Sequence, residues 1–299
     1  MDSDRQSRLF MRAIGIIGVG YIGSEFLDRL LADGYDVTVF DVDDEKVDHA
    51  GQRGATAADS PAEVAGETDA VVMALPGTPE VEATLEGDDG LLDALGDGQL
   101  VVDVTTTRPE TSEVAEEMCD EAGADFVEAP ITSAAPREGY HMMIGGTEER
   151  YEAAADLLDT LCDDHTRVGP IPEGTVLKLG LQMRYAGHAA LDAEIVEYAR
   201  DNGVDPELFN DFFGMDIWEQ YFTGDFSQDI EGLGGLAIWH KDLGYAREFA
   251  RENDTALPLN GVVHEAYKAA TRRAGEDEGH AATLVKYWTA LNDAEDRYE

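Results

Sequence analysis

Residues 14–23 read Ile-Gly-Ile-Ile-Gly-Val-Gly-Tyr-Ile-Gly, an apolar run that breaks into glycines at Gly18, Gly20 and Gly23. That pattern, G-x-G-x-x-G on the end of a buried strand, leaves the backbone few choices. Gly18 permits a tight turn, Gly20 lets main chain approach a pyrophosphate, and Gly23 lets helix and strand pack closely. The helix opening at Tyr21 and Ile22 then presents free N–H groups and the positive end of its dipole to phosphate oxygens. An acid, Asp41, stands 18 residues beyond Gly23, at the end of the next strand-like run. A carboxylate there accepts hydrogen bonds from ribose hydroxyls and repels a 2′-phosphate. Val42 follows it, with no arginine to clamp such a phosphate, so NAD is expected over NADP. The plain alternative is that the glycines only close a βα turn.

The rest of the first half repeats the strand–helix alternation. Residues 35–42 are strand-like, and 69–76 (Asp-Ala-Val-Val-Met-Ala-Leu-Pro) is a continuous apolar run of the kind a parallel strand covered on both faces shows. Residues 98–107, 124–131, 140–146 and 166–171 read as further strands. Residues 24–34, 109–124 and 149–164 read as amphipathic helices. The order predicts a doubly wound, mainly parallel α/β Rossmann domain over residues 11–171. Leu75 and Pro76 would lie beside the adenosine side of a dinucleotide, Thr105 and Thr106 near the nicotinamide half. After Pro172 strand signals cease. Residues 177–203 form one long helical stretch, and helical patterns follow at 206–222, 239–255 and 259–275, so an all-α domain is expected over 172–299.

Charge sets the surface. Sixty-four acidic residues against 21 basic ones leave a net charge of −43, while 43% of residues are hydrophobic. The acidic excess disfavours nucleic acid and anionic membranes as partners. An ordinary core under an acidic shell reads as adaptation to high salt, where the Debye length falls to roughly 3 Å at 1 M and self-repulsion is screened. Only five of the 21 basic residues are lysines (Lys46, Lys178, Lys241, Lys268 and Lys286), so each surviving lysine attracts attention. Cys119 and Cys162 form no CxxC pair, the seven histidines fall in no metal pattern, and no metal is expected. No run of about 18 apolar residues is present and the first ten residues lack a signal-like apolar core, so the cytoplasm is the expected location.

Four motifs in order carry a resemblance across roughly residues 12–295. They are the glycine turn; Glu128-Ala129-Pro130-Ile131-Thr132-Ser133 with the loop that follows; Gly174-Thr-Val-Leu-Lys178-Leu-Gly-Leu-Gln182; and Lys241-Asp242-Leu243-Gly244-Tyr245-Ala246. Together they resemble the β-hydroxyacid dehydrogenase family, which includes 3-hydroxyisobutyrate dehydrogenase and tartronate semialdehyde reductase within the 6-phosphogluconate dehydrogenase superfamily. The resemblance implies an NAD-dependent oxidoreductase that interconverts a small β-hydroxy acid and its semialdehyde or keto form. It implies Lys178 as general acid/base: the hydroxyl proton goes to its amine in oxidation and returns from its ammonium in reduction. A lysine with an ordinary pKa of ~10.4 is a poor base at neutral pH, so burial and a nearby positive charge are expected to lower it.

Thr132 stands where the family has serine, and with Ser133 is expected to hold the substrate carboxylate. Gln182 replaces the family asparagine one helical turn after Lys178, orienting substrate or simply packing. Arg137 is a candidate partner for a small anionic substrate or a surface arginine paired with an acid. Lys241 is expected at the cofactor, with Asp242 in support or purely structural. Family members associate through the helical domain, so a homodimer or homotetramer is expected. Two other readings stay open: an NADP-linked imine or aldehyde reductase, and a non-catalytic dinucleotide-binding regulatory protein.

Overall fold

The structure, a computed structural model, describes residues 11–133, 139–223, 236–274 and 282–294. It divides into two compact units, 1–178 and 179–299.

The first unit begins β1 (Ala13–Ile17), α1 (Tyr21–Ala32), β2 (Asp36–Phe40), α2 (Asp44–Arg53), β3 (Thr56–Ala57), α3 (Pro61–Glu67) and β4 (Ala70–Met73). It continues through α4 (Thr78–Glu86), β5 (Leu100–Asp103), α5 (Pro109–Ala122), β6 (Asp125–Glu128), β7 (Ile131–Thr132), β8 (His141–Gly145), α6 (Glu148–Leu161) and β9 (Asp164–Gly169). The strands form one sheet in the order β3-β2-β1-β4-β5-β6-β8-β7, with β9 paired to β8. Pairing is parallel from β3 through β6 and again between β8 and β9. It is antiparallel where β8 meets β6 and β7. The mainly parallel α/β domain read from the strand–helix alternation is therefore what the chain forms. The stretch 124–131, which reads as one strand, is two: β6 stops at Glu128, and Pro130, with no N–H to give a ladder, separates it from β7.

The apolar runs are continuous because both faces of the sheet are covered. Ile14, Ile16, Val72 and Val102 enter one core with Phe26, Leu30, Leu157 and Leu161. Their neighbours Ile17, Val71, Met73 and Val101 enter the other with Val64, Val81 and Phe126. Each such side chain contributes about 1.5–3 kcal/mol by leaving water. Local chemistry fixes the helix starts: Asp43 accepts from the Glu45 N–H, and Ser60 from Glu63 with Pro61 in the first turn. Glu63 returns a bond to the Asp59 N–H at 2.6 Å, and Thr147 accepts from Arg150.

From Glu173 the chain runs helically to Asp201 (α7), whose residues up to Lys178 belong to the first unit. The second unit holds the remainder of α7 with α8 (Leu208–Phe213), α9 (Gln220–Thr223), α10 (Leu236–Glu252), α11 (Pro258–Ala274) and α12 (Ala282–Leu291). Among its described residues there is no strand. Ala186, Ala190, Ala193, Leu243, Tyr267, Leu284 and Trp288 form its core, and the Tyr267 hydroxyl donates to the Ala186 carbonyl at 3.2 Å. Trp239 packs on Trp218 and Tyr267. The helical pattern at 206–222 proves to be two short helices. Gly214 takes a left-handed conformation (φ 64°) that ends α8, and the Asn210 side chain clamps the reversal by bonding both N–H and C=O of Ile217.

Candidate active site

At the carboxyl ends of β1 and β4, where the strand order reverses, the glycine turn is built as its sequence requires. Gly18 has φ 91°, donates its N–H to the Phe40 carbonyl at 2.8 Å, and lies so close to β4 that a Cβ would stand 2.4 Å from the Ala74 oxygen. A Cβ on Gly23 would meet the Gly18 oxygen at 1.9 Å, whereas one on Gly20 would meet nothing within 4 Å. The turn is thus closed on its protein side and open at Gly20, the N-cap of α1, which has no side chain to cap the helix. Such a cradle at a strand-order switch fits a dinucleotide pyrophosphate. Tyr21 and Ile22 open α1 just beyond it, and the Tyr21 hydroxyl is bonded to Tyr140, itself pushed above its ordinary pKa, first by burial.

Asp41, expected from sequence to contact a ribose, has partners within the protein. Its carboxylate accepts from the Val19 N–H at 2.9 Å and the Asp43 N–H at 3.0 Å, tying the second strand's end to the glycine turn. Lys46, which the sequence reading left without a role, reaches it at 3.7 Å. Leu75 donates its N–H to the Thr105 hydroxyl at 3.1 Å, and the Thr105 N–H is held by Asp103 at 2.9 Å, so the loops after β4 and β5 are joined. Pro76 and Thr106 belong to those same loops.

Lys178 is 7% exposed, and its Nζ donates to the Ile131 carbonyl at 2.8 Å. That carbonyl belongs to the residue immediately before Thr132, so the buried amine is bonded to the main chain of β7. Ser133, next in the chain after Thr132, is exposed. Arg137 lies outside the described residues, as does most of the glycine-rich stretch before α10.

A third residue, which opens the second motif but was given no role there, organises this corner. Glu128 is 1% exposed and its carboxylate accepts from the Gly174 N–H (2.7 Å), the Thr175 N–H (3.2 Å) and the Thr175 hydroxyl (2.6 Å). Burial pushes it above the ordinary glutamate pKa, against those donors, which pull it down. The available signal was that α7 starts at Pro-Glu-Gly-Thr without a capping side chain of its own, so its first amides needed a remote acceptor.

In the second unit, Gln182 is buried and donates from Nε2 to Asp242 Oδ2 at 2.6 Å; Asp242, fully buried, pairs through Oδ1 with Lys241 at 3.2 Å. Lys241 also lies over the Tyr245 ring at 5.2 Å. His240 stacks on His264 with ring centroids 4.5 Å apart. No group of three or more His, Cys, Asp or Glu among the described residues could hold a metal ion, and no helix among them is long and apolar enough to cross a membrane.

Fold and glycine turn together define a Rossmann-type dinucleotide-binding unit followed by a helical one. Comparison with known proteins refines this. The family model for the NAD binding domain of 6-phosphogluconate dehydrogenase matches residues 13–169, and that for the NAD-binding region of NADP-dependent 3-hydroxyisobutyrate dehydrogenase matches 173–288. Mitochondrial 3-hydroxyisobutyrate dehydrogenase of Mus musculus is 26% identical over 270 residues, covering 85% of this chain and 81% of its own. 2-(Hydroxymethyl)glutarate dehydrogenase of Eubacterium barkeri is 27% identical over 293 residues, covering 93% and 95%. The solved structure of Mycobacterium tuberculosis 3-hydroxyisobutyrate dehydrogenase with L-serine has the same fold, with TM-score 0.79 and 20% identity over 92% of this chain and 98% of that one. The chain belongs to the β-hydroxyacid dehydrogenase family.

Proposed function

We propose that this protein is an NAD-dependent oxidoreductase that interconverts a small β-hydroxy acid and its semialdehyde or keto form, with Lys178 as general acid/base. The observation that carries the reading is the buried Lys178 side chain, whose Nζ donates at 2.8 Å to the carbonyl of Ile131, the residue before Thr132 in the chain. The relatives are named for 3-hydroxyisobutyrate and 2-(hydroxymethyl)glutarate, carboxylates with a hydroxyl on the β-carbon. The proposal carries that substrate class to this chain.

The glycine turn with Tyr21 and Ile22 would hold the pyrophosphate, Asp41 the adenosine ribose, Leu75 and Pro76 the adenosine side, and Thr105 the nicotinamide half; Lys241 is carried over as a cofactor contact from the family resemblance alone. When bound, the nicotinamide takes up or gives the hydride. Thr132 and Ser133, with Arg137, hold the substrate carboxylate and so place its hydroxyl. Lys178 Nζ takes the hydroxyl proton in oxidation and returns it in reduction. The Ile131 carbonyl holds the ammonium form and fixes its approach. Asp242 orders Gln182 through Nε2, which leaves the amide oxygen of Gln182 to orient substrate. The helical unit exposes Phe212 (79%), Phe213 (68%) and Leu191 (53%), which supports association of copies into a homodimer or homotetramer. The expected location is the cytoplasm.

A second reading, use of NADP, is favoured by Lys46, whose half-exposed ammonium stands beside Asp41 where a 2′-phosphate would fall. An absorbance screen in molar salt with small β-hydroxy acids and semialdehydes, run with NAD(H) and NADP(H) on wild type and Lys178→Ala, separates the readings. NAD-preferring turnover that disappears in Lys178→Ala, with NAD binding intact, is the expected result. Loss of cofactor affinity in Lys178→Ala would make the lysine structural, and dinucleotide binding without any turnover would favour a regulatory role.

A further inference from the structure

The start of α7 leaves three backbone N–H groups without helical partners, those of Glu173, Gly174 and Thr175, because Pro172 before them has none and Val176 makes the first helical bond, to the Pro172 carbonyl at 3.0 Å. Glu173 is met locally, donating to the Pro170 carbonyl at 2.9 Å. The other two, Gly174 and Thr175, are met by the Glu128 carboxylate at the end of β6. A buried anion is a costly cap unless every lone pair is used and a helix dipole faces it. Here both oxygens are bonded, and space has been kept for them. A Cβ on Gly145 would stand 2.2 Å from Glu128 Oε1, and one on Gly174 2.9 Å from the same atom.

Lys178 lies one turn beyond Gly174, on the same side of the helix. Its Nζ bonds the Ile131 carbonyl, three residues beyond Glu128. One short segment, Glu128–Ile131, therefore grips α7 twice, by its first amides and by its lysine. A run of buried hydroxyls continues from this point: Thr175 Oγ1 to Ser112 Oγ at 3.3 Å, and Ser112 Oγ to Thr107 Oγ1 at 3.2 Å. Thr107 closes the loop after β5 that also carries Thr105 and Thr106. The carboxylate thus anchors the lysine-bearing turn and, through two hydroxyls, the loop assigned to the nicotinamide half.

We propose that Glu128 is a positioning residue for Lys178: its buried carboxylate, by capping α7 at Gly174 and Thr175, sets where the lysine Nζ sits relative to Thr132. The inference rests on Lys178 as acid/base, and its role is to keep Nζ within proton-transfer reach of the substrate hydroxyl. Misplacement by about an ångström costs up to ~100-fold in rate.

The test compares wild type, Glu128→Gln and Thr175→Val. Glutamine keeps the shape and one acceptor; valine keeps the packing and both backbone bonds. For Glu128→Gln the expected kcat is lower by about 10- to 100-fold, with substrate KM and NAD affinity near wild type. Thr175→Val should show a smaller loss of the same kind. A readout that needs no substrate accompanies this: labelling of lysines by acetic anhydride, followed by mass spectrometry. Lys178 should label faster in Glu128→Gln while Lys46 and Lys268 keep their wild-type rates and the melting temperature stays within a few degrees. Unchanged kcat and unchanged Lys178 labelling in Glu128→Gln would overturn the proposal. So would equal losses of kcat, NAD affinity and melting temperature in both variants. If wild type shows no lysine-dependent turnover but the labelling still shifts, the acid/base reading fails and the seating of Lys178 by Glu128 stands.

Discussion

Two glycines of one turn, three residues apart, should respond to the same substitution in opposite ways. In Gly23→Ala the new methyl would stand 1.9 Å from the Gly18 oxygen and 3.0 Å from its carbon. An ordinary contact needs roughly 3.5 Å, so the turn must open by about 1.5 Å. Gly18 cannot yield freely, because its N–H is bonded to Phe40 and its α-carbon lies against the Ala74 carbonyl. Overpacking of this kind costs about 1–3 kcal/mol, or a fall of roughly 2–12 °C in melting temperature for a domain of this size. In Gly20→Ala the methyl meets nothing, and the residue's extended backbone (φ −70°) suits alanine. Without cofactor the variant should be as stable as wild type or up to about 1 kcal/mol more so. Its methyl instead occupies the open side of the cradle, and a tenfold or greater loss of NAD affinity is expected. Melts with and without NAD read both effects. At NAD 100 times its wild-type Kd, the ligand's stabilisation should drop from about 2.7 kcal/mol to about 1.4 kcal/mol or less in Gly20→Ala. The reasoning is refuted if Gly20→Ala is destabilised without ligand as much as Gly23→Ala, or if it binds NAD like wild type.

Two further expectations concern the solvent. His240 and His264 stack, and both are held below the ordinary histidine pKa of 6.5, chiefly by burial, with Lys268 adding to it at His240 and Arg247 at His264, against Glu265. The unfolded chain therefore binds more protons just below pH 6.5, and this pair costs stability as pH falls through that region. His264→Phe keeps a ring in the stack, so its urea midpoint should fall less than that of wild type between about pH 7.5 and about pH 5.5. Equal falls would remove the pair from the acid response. The net charge of −43 predicts a melting temperature that climbs as KCl is raised from about 0.1 M to about 1 M, the Debye length shrinking from about 10 Å to about 3 Å. A flat or falling response would show that the acidic surface is not a source of strain in dilute buffer.

What the sequence disclosed follows from how local each signal is. Continuous apolar runs announce parallel strands because both faces of the sheet are covered, and the glycine turn announces itself because its constraints lie within six residues. Gly214 broke an apparent helix because the left-handed cap works only together with Asn210 and Ile217, a side-chain clamp that periodicity does not register. Glu128 was hidden for a different reason. Its partners, Gly174 and Thr175, are 46 and 47 residues away, and one glutamate among 64 acidic residues carries no mark of burial. Lys46 escaped likewise: its nearness to Asp41 depends on how α2 leaves the second strand.

On the proposed reading, Asp41 has an unexpected bearing on how cofactor preference could be altered. Because its two oxygens also accept the Val19 and Asp43 amides, truncating it to admit a 2′-phosphate would strand two donors and loosen the turn proposed to hold the pyrophosphate. On that reading cofactor choice and turn integrity are inherited together. A designer, or natural drift, has a passable route through neighbours such as the 93% exposed Val42 that leave the carboxylate's internal duties untouched, whereas Asp41→Asn would keep one acceptor and set its NH2 against the other backbone N–H.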